Sequence, residues 1–188
     1  DEGLFPDETS VEQALYDLIL SRKGLCYVFT SSQNLDRLVS IYRATRRSGR
    51  TLVIDLYPAF VLDKLSVISP SIPQFGWEGI RVLYSYYHAQ KLADLDRSLL
   101  YKYKSTKIEF EEIRDNPDNM VLLAKDSRYF RNIITKLTVY SKAIAIYSMW
   151  HGYLERSNLV EFLETNGIPI EEIHTSGHAY VSKLQVFA

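Results

Sequence analysis

Residues 24–55, GLCYVFTSSQNLDRLVSIYRATRRSGRTLVID, decide the fold. Residues 25–29 are a short apolar run, rich in the β-formers Tyr27, Val28 and Phe29. Five polar residues, Thr30, Ser31, Ser32, Gln33 and Asn34, break that run, and several of them are good helix caps. Leu35, Leu38, Val39 and Tyr42 follow at helical spacing and give one apolar face. Gly49 stands where a helix stop is expected, and residues 51–54 are a second apolar, β-branched run. The stretch reads as a βαβ unit. Its strands are apolar throughout rather than alternating, which suits a parallel sheet buried on both faces. In such sheets ligands gather at the carboxyl ends of strands, and Ser31, Ser32, Gln33 and Arg37 lie just past such an end.

The same alternation extends outward. Residues 7–9 open a helix with acidic side chains at its positive end, and Val11, Ala14, Leu15, Leu18 and Ile19 give it an apolar face. Residues 57–65 read as a helix with Pro58 tolerated in its first turn. Residues 66–79 hold Pro70, Pro73, Gly76 and Gly79 and read as an irregular connection. RVLYSY (81–86) reads as a strand, 88–103 as a helix, 107–114 as a charged segment of unassigned state and 116–119 as a turn. MVLLA (120–124) and KAIAIY (142–147) read as buried strands on either side of a helix over 126–137. A helix over 157–166 stops at Gly167 and Pro169; a short strand over 170–174 and a final helix over 180–187 follow. Regular alternation of strand and helix argues an α/β fold: a Rossmann-like, largely parallel sheet with helices on both faces.

Composition sets limits. The chain has 188 residues and is 46% hydrophobic, enough for a substantial core. Its 22 basic and 23 acidic residues leave a net charge of −1, so bulk charge gives no warrant for nucleic-acid binding and any phosphate site must be local. The one cysteine, Cys26, lies inside a predicted strand and reads as a buried structural thiol, in keeping with a reducing cytoplasm. No apolar run approaches the roughly 18 residues of a membrane span, and the acidic start, DEGLFPDE, is unlike a signal peptide. A cytoplasmic protein with no membrane partner is expected.

Three segments carry chemistry. In IHTSGHA (173–179) a glycine permits an unusual turn and sets a histidine at a strand's carboxyl end, where imidazole suits metal or phosphate. His174 and His178 have H-x-x-x-H spacing, but the preceding strand and Gly177 oppose the continuous helix that a zinc pair needs; His178 as a hydrogen-bonded turn residue is the plainer reading. The 30–37 turn offers hydroxyls, amides and a guanidinium. Either Arg37 pairs with phosphate there, or Ser32 or Asn34 caps the helix and Arg37 forms a surface pair. SMWHGY (148–153) follows the strand KAIAIY and either stacks on a base or covers the sheet as a packed aromatic loop. Lys23, Arg43, Arg46, Arg47 and Arg50 form a basic region that reads as a solvated face or a nucleic-acid track. No H-x-H-x-D-H, G-x-x-x-x-G-K-[ST] or G-x-S-x-G occurs, so no complete catalytic site is encoded.

Residues 24–55 and IHTSGHA together resemble the β-CASP domain of metallo-β-lactamase-fold hydrolases such as ribonuclease J: the first resembles the opening of the insert, the second the Ser-Gly-His-Ala segment that returns the chain to the parent fold. The resemblance spans nearly the whole chain, with strong motifs only at its two ends. It implies a β-CASP-like domain over residues 1–169 and, over 170–188, a returning strand, turn and helix of a metallo-β-lactamase domain otherwise absent. It implies a zinc-dependent parent acting on RNA phosphodiesters, for which this chain supplies the lid of the substrate cleft. Ser31, Ser32, Arg37 and Ser176 would then face substrate, and His178 would act catalytically at the scissile phosphate or support the metal site. The zinc ligands would lie outside the chain, so the chain alone is expected to hold no zinc and to be inactive. Its partners would be RNA or another phosphodiester and the metallo-β-lactamase domain of the same polypeptide, with self-association left open. The loop SMWHGYLERS departs from the Gly-Ser-Gln-Gly-Glu-like loop of ribonuclease J relatives. That departure suggests an alternative, a metallo-hydrolase of a small non-nucleic substrate; the Rossmann-like sheet alone allows another, a non-catalytic module that binds a nucleotide or a protein.

Overall fold

Five consecutive buried residues, Leu25–Phe29, form β1, and every other strand packs outward from it. The structure, a computed structural model, describes residues 7–175. Along the chain the elements are α1 (Glu8–Ser21), β1, α2 (Leu35–Arg47), β2 (Thr51–Asp55), α3 (Leu56–Leu65), β3 (Ile80–Leu83), α4 (Tyr86–Asp96), α5 (Ser98–Tyr103), β4 (Lys107–Ile108), α6 (Phe110–Asp115), β5 (Met120–Ala124), α7 (Arg128–Thr138), β6 (Ala143–Tyr147), α8 (His151–Glu155), α9 (Leu159–Thr165) and β7 (Ile170–Glu172). The strands make one seven-stranded sheet in the order β4-β3-β2-β5-β1-β6-β7, with every neighbouring pair parallel. The expected α/β, Rossmann-like architecture is what the chain adopts.

Alternating side chains on each strand feed two separate cores. Cys26 and Val28 of β1, Leu52 and Ile54 of β2 and Val121 and Leu123 of β5 pack with α1, α2 and α3 on one face. Leu25, Tyr27 and Phe29, Val53, and Leu122 and Ala124 pack with α7, α8 and α9 on the other. Burial on both faces explains why the strands read as continuous apolar runs. The turn into β1 needs Gly24, whose φ is +90° and whose added Cβ would collide with the Lys142 carbonyl. Beneath it, buried Arg50 donates to the carbonyls of Gly24 (2.8 Å) and Arg22 and lies 3.3 Å from Cys26 Sγ. Burial pushes the Cys26 thiol pKa up, against Arg50.

Several elements differ from their sequence reading. The helix read over 88–103 is two helices, because the Asp96 side chain accepts from Ser98 N at 2.8 Å and restarts the turn. The charged segment 107–114 resolves into the edge strand β4 and α6. SMWHGY is only partly loop, since α8 begins at His151. The strand read over 170–174 is shorter, ending at Glu172. The boundary expected after residue 169 falls between a turn and this strand. β7 pairs with β6 (Ala145↔Ile170, Ile146↔Glu171, Tyr147↔Glu172), and Ile173 is buried in the core beside α1 and α2. Residues 170–173 thus belong to the same sheet and core as those before them. The final helix read over 180–187 lies outside the described residues. Among the described residues no helix is long and apolar enough to cross a membrane.

Candidate functional site

At the carboxyl edge, neighbouring strands send the chain to opposite faces: β2 to α3 and β1 to α2 on one side, β5 to α7 and β6 to α8 on the other. Crevices form where such connections diverge. Connections diverge in this way between β1 and β6, between β1 and β5, and between β2 and β5; a first crevice lies past the ends of β1 and β6 and a second past the ends of β2 and β5.

The first crevice holds the residues singled out in the sequence. Arg37 is 1% exposed. Its Nε and Nη2 donate to Glu8 of α1 at 2.7 and 3.1 Å. Nη1 donates to Ser148 Oγ (2.5 Å), the Ser148 carbonyl (3.2 Å) and the Ile173 carbonyl (3.4 Å), and Nη2 also reaches Thr175 Oγ1 at 3.4 Å. The guanidinium therefore fills its donor fork with protein acceptors and ties α1, α2 and the ends of β6 and β7 together. The cap expected at the start of α2 is made by Asn34, whose side chain accepts from Arg37 N at 3.1 Å. Ser31 is exposed and its hydroxyl accepts from Gln33 N; Ser32 is buried and its hydroxyl has no hydrogen-bond partner. His174 is held below the usual imidazole range, first by burial and then by Arg37. Ser176 and His178 lie outside the described residues.

The aromatic segment after β6 is a surface feature. Trp150 and Tyr153 are exposed and meet edge to face at 5.2 Å. His151 Nδ1 lies 2.8 Å from Glu172, whose hydrogen bond holds the imidazole above its ordinary value. The basic region is dispersed into ion pairs: Arg43 and Arg47 reach Glu12, Arg46 reaches Glu78, and Arg50 is buried.

The second crevice went unread in the sequence. It is a cleft of about 240 Å³ whose lining includes Ser85 and His88 from the start of α4, Lys125 from the end of β5, and Ser127 and Tyr129 from the start of α7. Three helices begin around it. Ser85 caps α4 by accepting from His88 N (3.2 Å), Ser127 caps α7 by accepting from Phe130 N (3.3 Å), and Asp55 caps α3 by accepting from Tyr57 N (2.8 Å). Helix first turns leave amide donors and partial positive charge. Lys125 adds a full one. Its Nζ lies 4.4 Å from the centre of the Tyr57 ring, and burial pulls its pKa down while Asp55 opposes the shift. Tyr129 is pushed up to about 12, first by burial and then by the Asp55 charge. Asp55, 1% exposed, places Oδ2 at 3.3 Å from His88 Nδ1. The strand-end argument applied to TLVID, RVLYS and MVLLAKDS marks the same residues.

Chemically, this cleft can hold a small anion against Lys125, an imidazole and two helix first turns, flanked by aromatic rings. Among the described residues, no group of three or more His, Cys, Asp or Glu is placed to hold a metal ion. No protein-family model and no curated protein matches the chain.

Proposed function

We propose that this chain is a binding module whose ligand is a nucleotide or another phosphate-bearing molecule, held in the cleft between the ends of β2, β3 and β5. The observation that carries the reading is the convergence of Lys125, His88 and the first turns of α4 and α7 on one small cleft at the sheet's carboxyl edge. An RNA-processing metallo-hydrolase, the parent implied by the resemblance, makes the same demand on this domain: it must hold a phosphodiester. In that case His178 belongs to the reaction, Ser176 contacts substrate, and the described residues serve to bind and orient.

Calorimetry with adenosine 5′-monophosphate, a short RNA oligonucleotide and unphosphorylated adenosine tests the reading. The phosphorylated probes bind, adenosine does not, and Lys125→Gln weakens binding roughly tenfold or more. Equal binding of adenosine and its monophosphate, or a Lys125→Gln protein that binds like the wild type, contradicts it.

A further inference from the structure

Lys125 brings an amine into the second cleft, and no carboxylate pairs with it. Elsewhere, Lys102 donates to both Asp63 oxygens at 2.7 Å and Lys107 lies 2.6 Å from Glu109. Lys125 is half-buried and, among the described residues, makes no hydrogen bond or ion pair. The neighbouring carboxylate, Asp126, is taken by Arg131 at 2.7 Å. Lys125 Nζ rests 4.4 Å from the centre of the Tyr57 ring of α3. Tyr87 and His88 of α4 and Tyr129 and Phe130 of α7 line the cleft with it. Burial favours the free amine over the ammonium, and Asp55, from the end of β2, opposes that shift through space. A desolvated lysine amine is a nucleophile.

Asp55 decides which electrophile suits that amine. The carboxylate is 1% exposed; Oδ1 caps α3, and Oδ2 has no hydrogen-bond partner. Acylation would turn Lys125 into a neutral amide and remove the cation that acts on this buried charge. Condensation with a carbonyl keeps the cation. The amine lone pair attacks the carbonyl carbon, and the C–N bond forms as the carbonyl π pair moves to oxygen. That oxygen takes one proton from the nitrogen and a second from the cleft, then leaves as water while the C=N bond forms. The second proton is the one the ammonium gave up, so the charge reappears on the imine nitrogen and no oxidant or reductant is needed. His88 and Tyr129 share the cleft and can pass these protons; the Tyr129 phenol, pushed up to about 12, stays protonated near neutral pH.

We propose that Lys125 forms an imine with a small apolar or aromatic aldehyde seated among the aromatic walls of this cleft of about 240 Å³. The inference goes beyond the phosphate reading and needs no phosphate on the ligand. The ammonium form of the side chain holds an anion, and the free amine reacts.

Incubating the whole folded chain with benzaldehyde and cyanoborohydride near neutral pH fixes imines as secondary amines, and peptide mass mapping locates them. We expect Lys125 to be labelled roughly tenfold or more faster than exposed lysines such as Lys23, Lys104 and Lys136. Unfolding in urea erases that preference. Asp55→Asn removes the charge that opposes the shift, so the pH dependence of Lys125 labelling moves to lower pH. Labelling of Lys125 at the rate of the exposed lysines, a preference that survives unfolding, or a pH dependence unmoved in Asp55→Asn overturns the inference. Fast labelling that adenosine 5′-monophosphate slows supports both this inference and the phosphate reading. Fast labelling that the nucleotide leaves unchanged supports this inference and contradicts the phosphate reading.

Discussion

Arg37 of α2 grips Glu8 of α1 through two parallel hydrogen bonds, Nε to Oε1 at 2.7 Å and Nη2 to Oε2 at 3.1 Å, while Nη1 holds Ser148 past the end of β6. A guanidinium so placed is a structural link. Truncation removes the donors to Ser148 Oγ and Glu8 Oε2 and leaves the Ser148 and Ile173 carbonyls and Glu8 Oε1 with only the hydroxyls of Thr30, Ser148 and Ser40. We predict that Arg37→Ala lowers stability by about 3 kcal/mol or more, and that Arg37→Lys recovers little, because an ammonium lacks the planar fork. Denaturant unfolding checks this. A variant as stable as the wild type but defective in binding phosphate would return Arg37 to the role of ligand contact.

Asp55 separates capping from charge. Asp55→Ala removes the acceptor of Tyr57 N and should cost about 1 kcal/mol. Asp55→Asn keeps the acceptor and removes a buried carboxylate oxygen that has no hydrogen-bond partner, so its melting temperature should equal or exceed that of the wild type. Stability gained by removing this charge would show that the carboxylate is not kept for the fold. An Asp55→Asn protein as destabilised as Asp55→Ala would show that the charge itself holds the fold.

Tyr129 reports on the same carboxylate. Its folded pKa, about 12, lies above the ordinary phenol value of about 10. The sign follows from linkage: a raised folded pKa contributes stability that is fully present below about pH 10 and is lost as pH rises towards 12. The near-ultraviolet phenolate signal lost in Tyr129→Phe should therefore titrate near 12, and Asp55→Asn should move that transition down. A transition near about 10 in the wild type would place Tyr129 in open solvent.

Local sequence made six of the seven strands, the first two helices and the parallel sheet legible, because buried β-branched runs and 3.6-residue periodicity are local signals; the two-residue edge strand β4 carries no such run. Strand order was not legible. β5 inserts between β2 and β1, and no residue near Met120 announces that pairing. The two crevices divide the same way. Arg37 drew attention through its place after β1, yet its acceptors arrive from Glu8, Ser148, Ile173 and Thr175, all distant in sequence. Asp55 and Lys125 each followed an apolar run, and Ser85 lay inside the strand read over 81–86, whereas β3 ends at Leu83 and Ser85 caps α4. Only the sheet brings them together, across three strands whose chain order is β2, β3, β5.

The most direct test of the central claim is amide mapping by NMR of the isotope-labelled chain titrated with adenosine 5′-monophosphate. The cleft reading predicts that residues 85–88 and 125–129 shift together along one saturation curve, with residues 30–37 and 148–153 unmoved. Shifts centred on residues 30–37 or 148–153, or no saturable shifts at all, would contradict it.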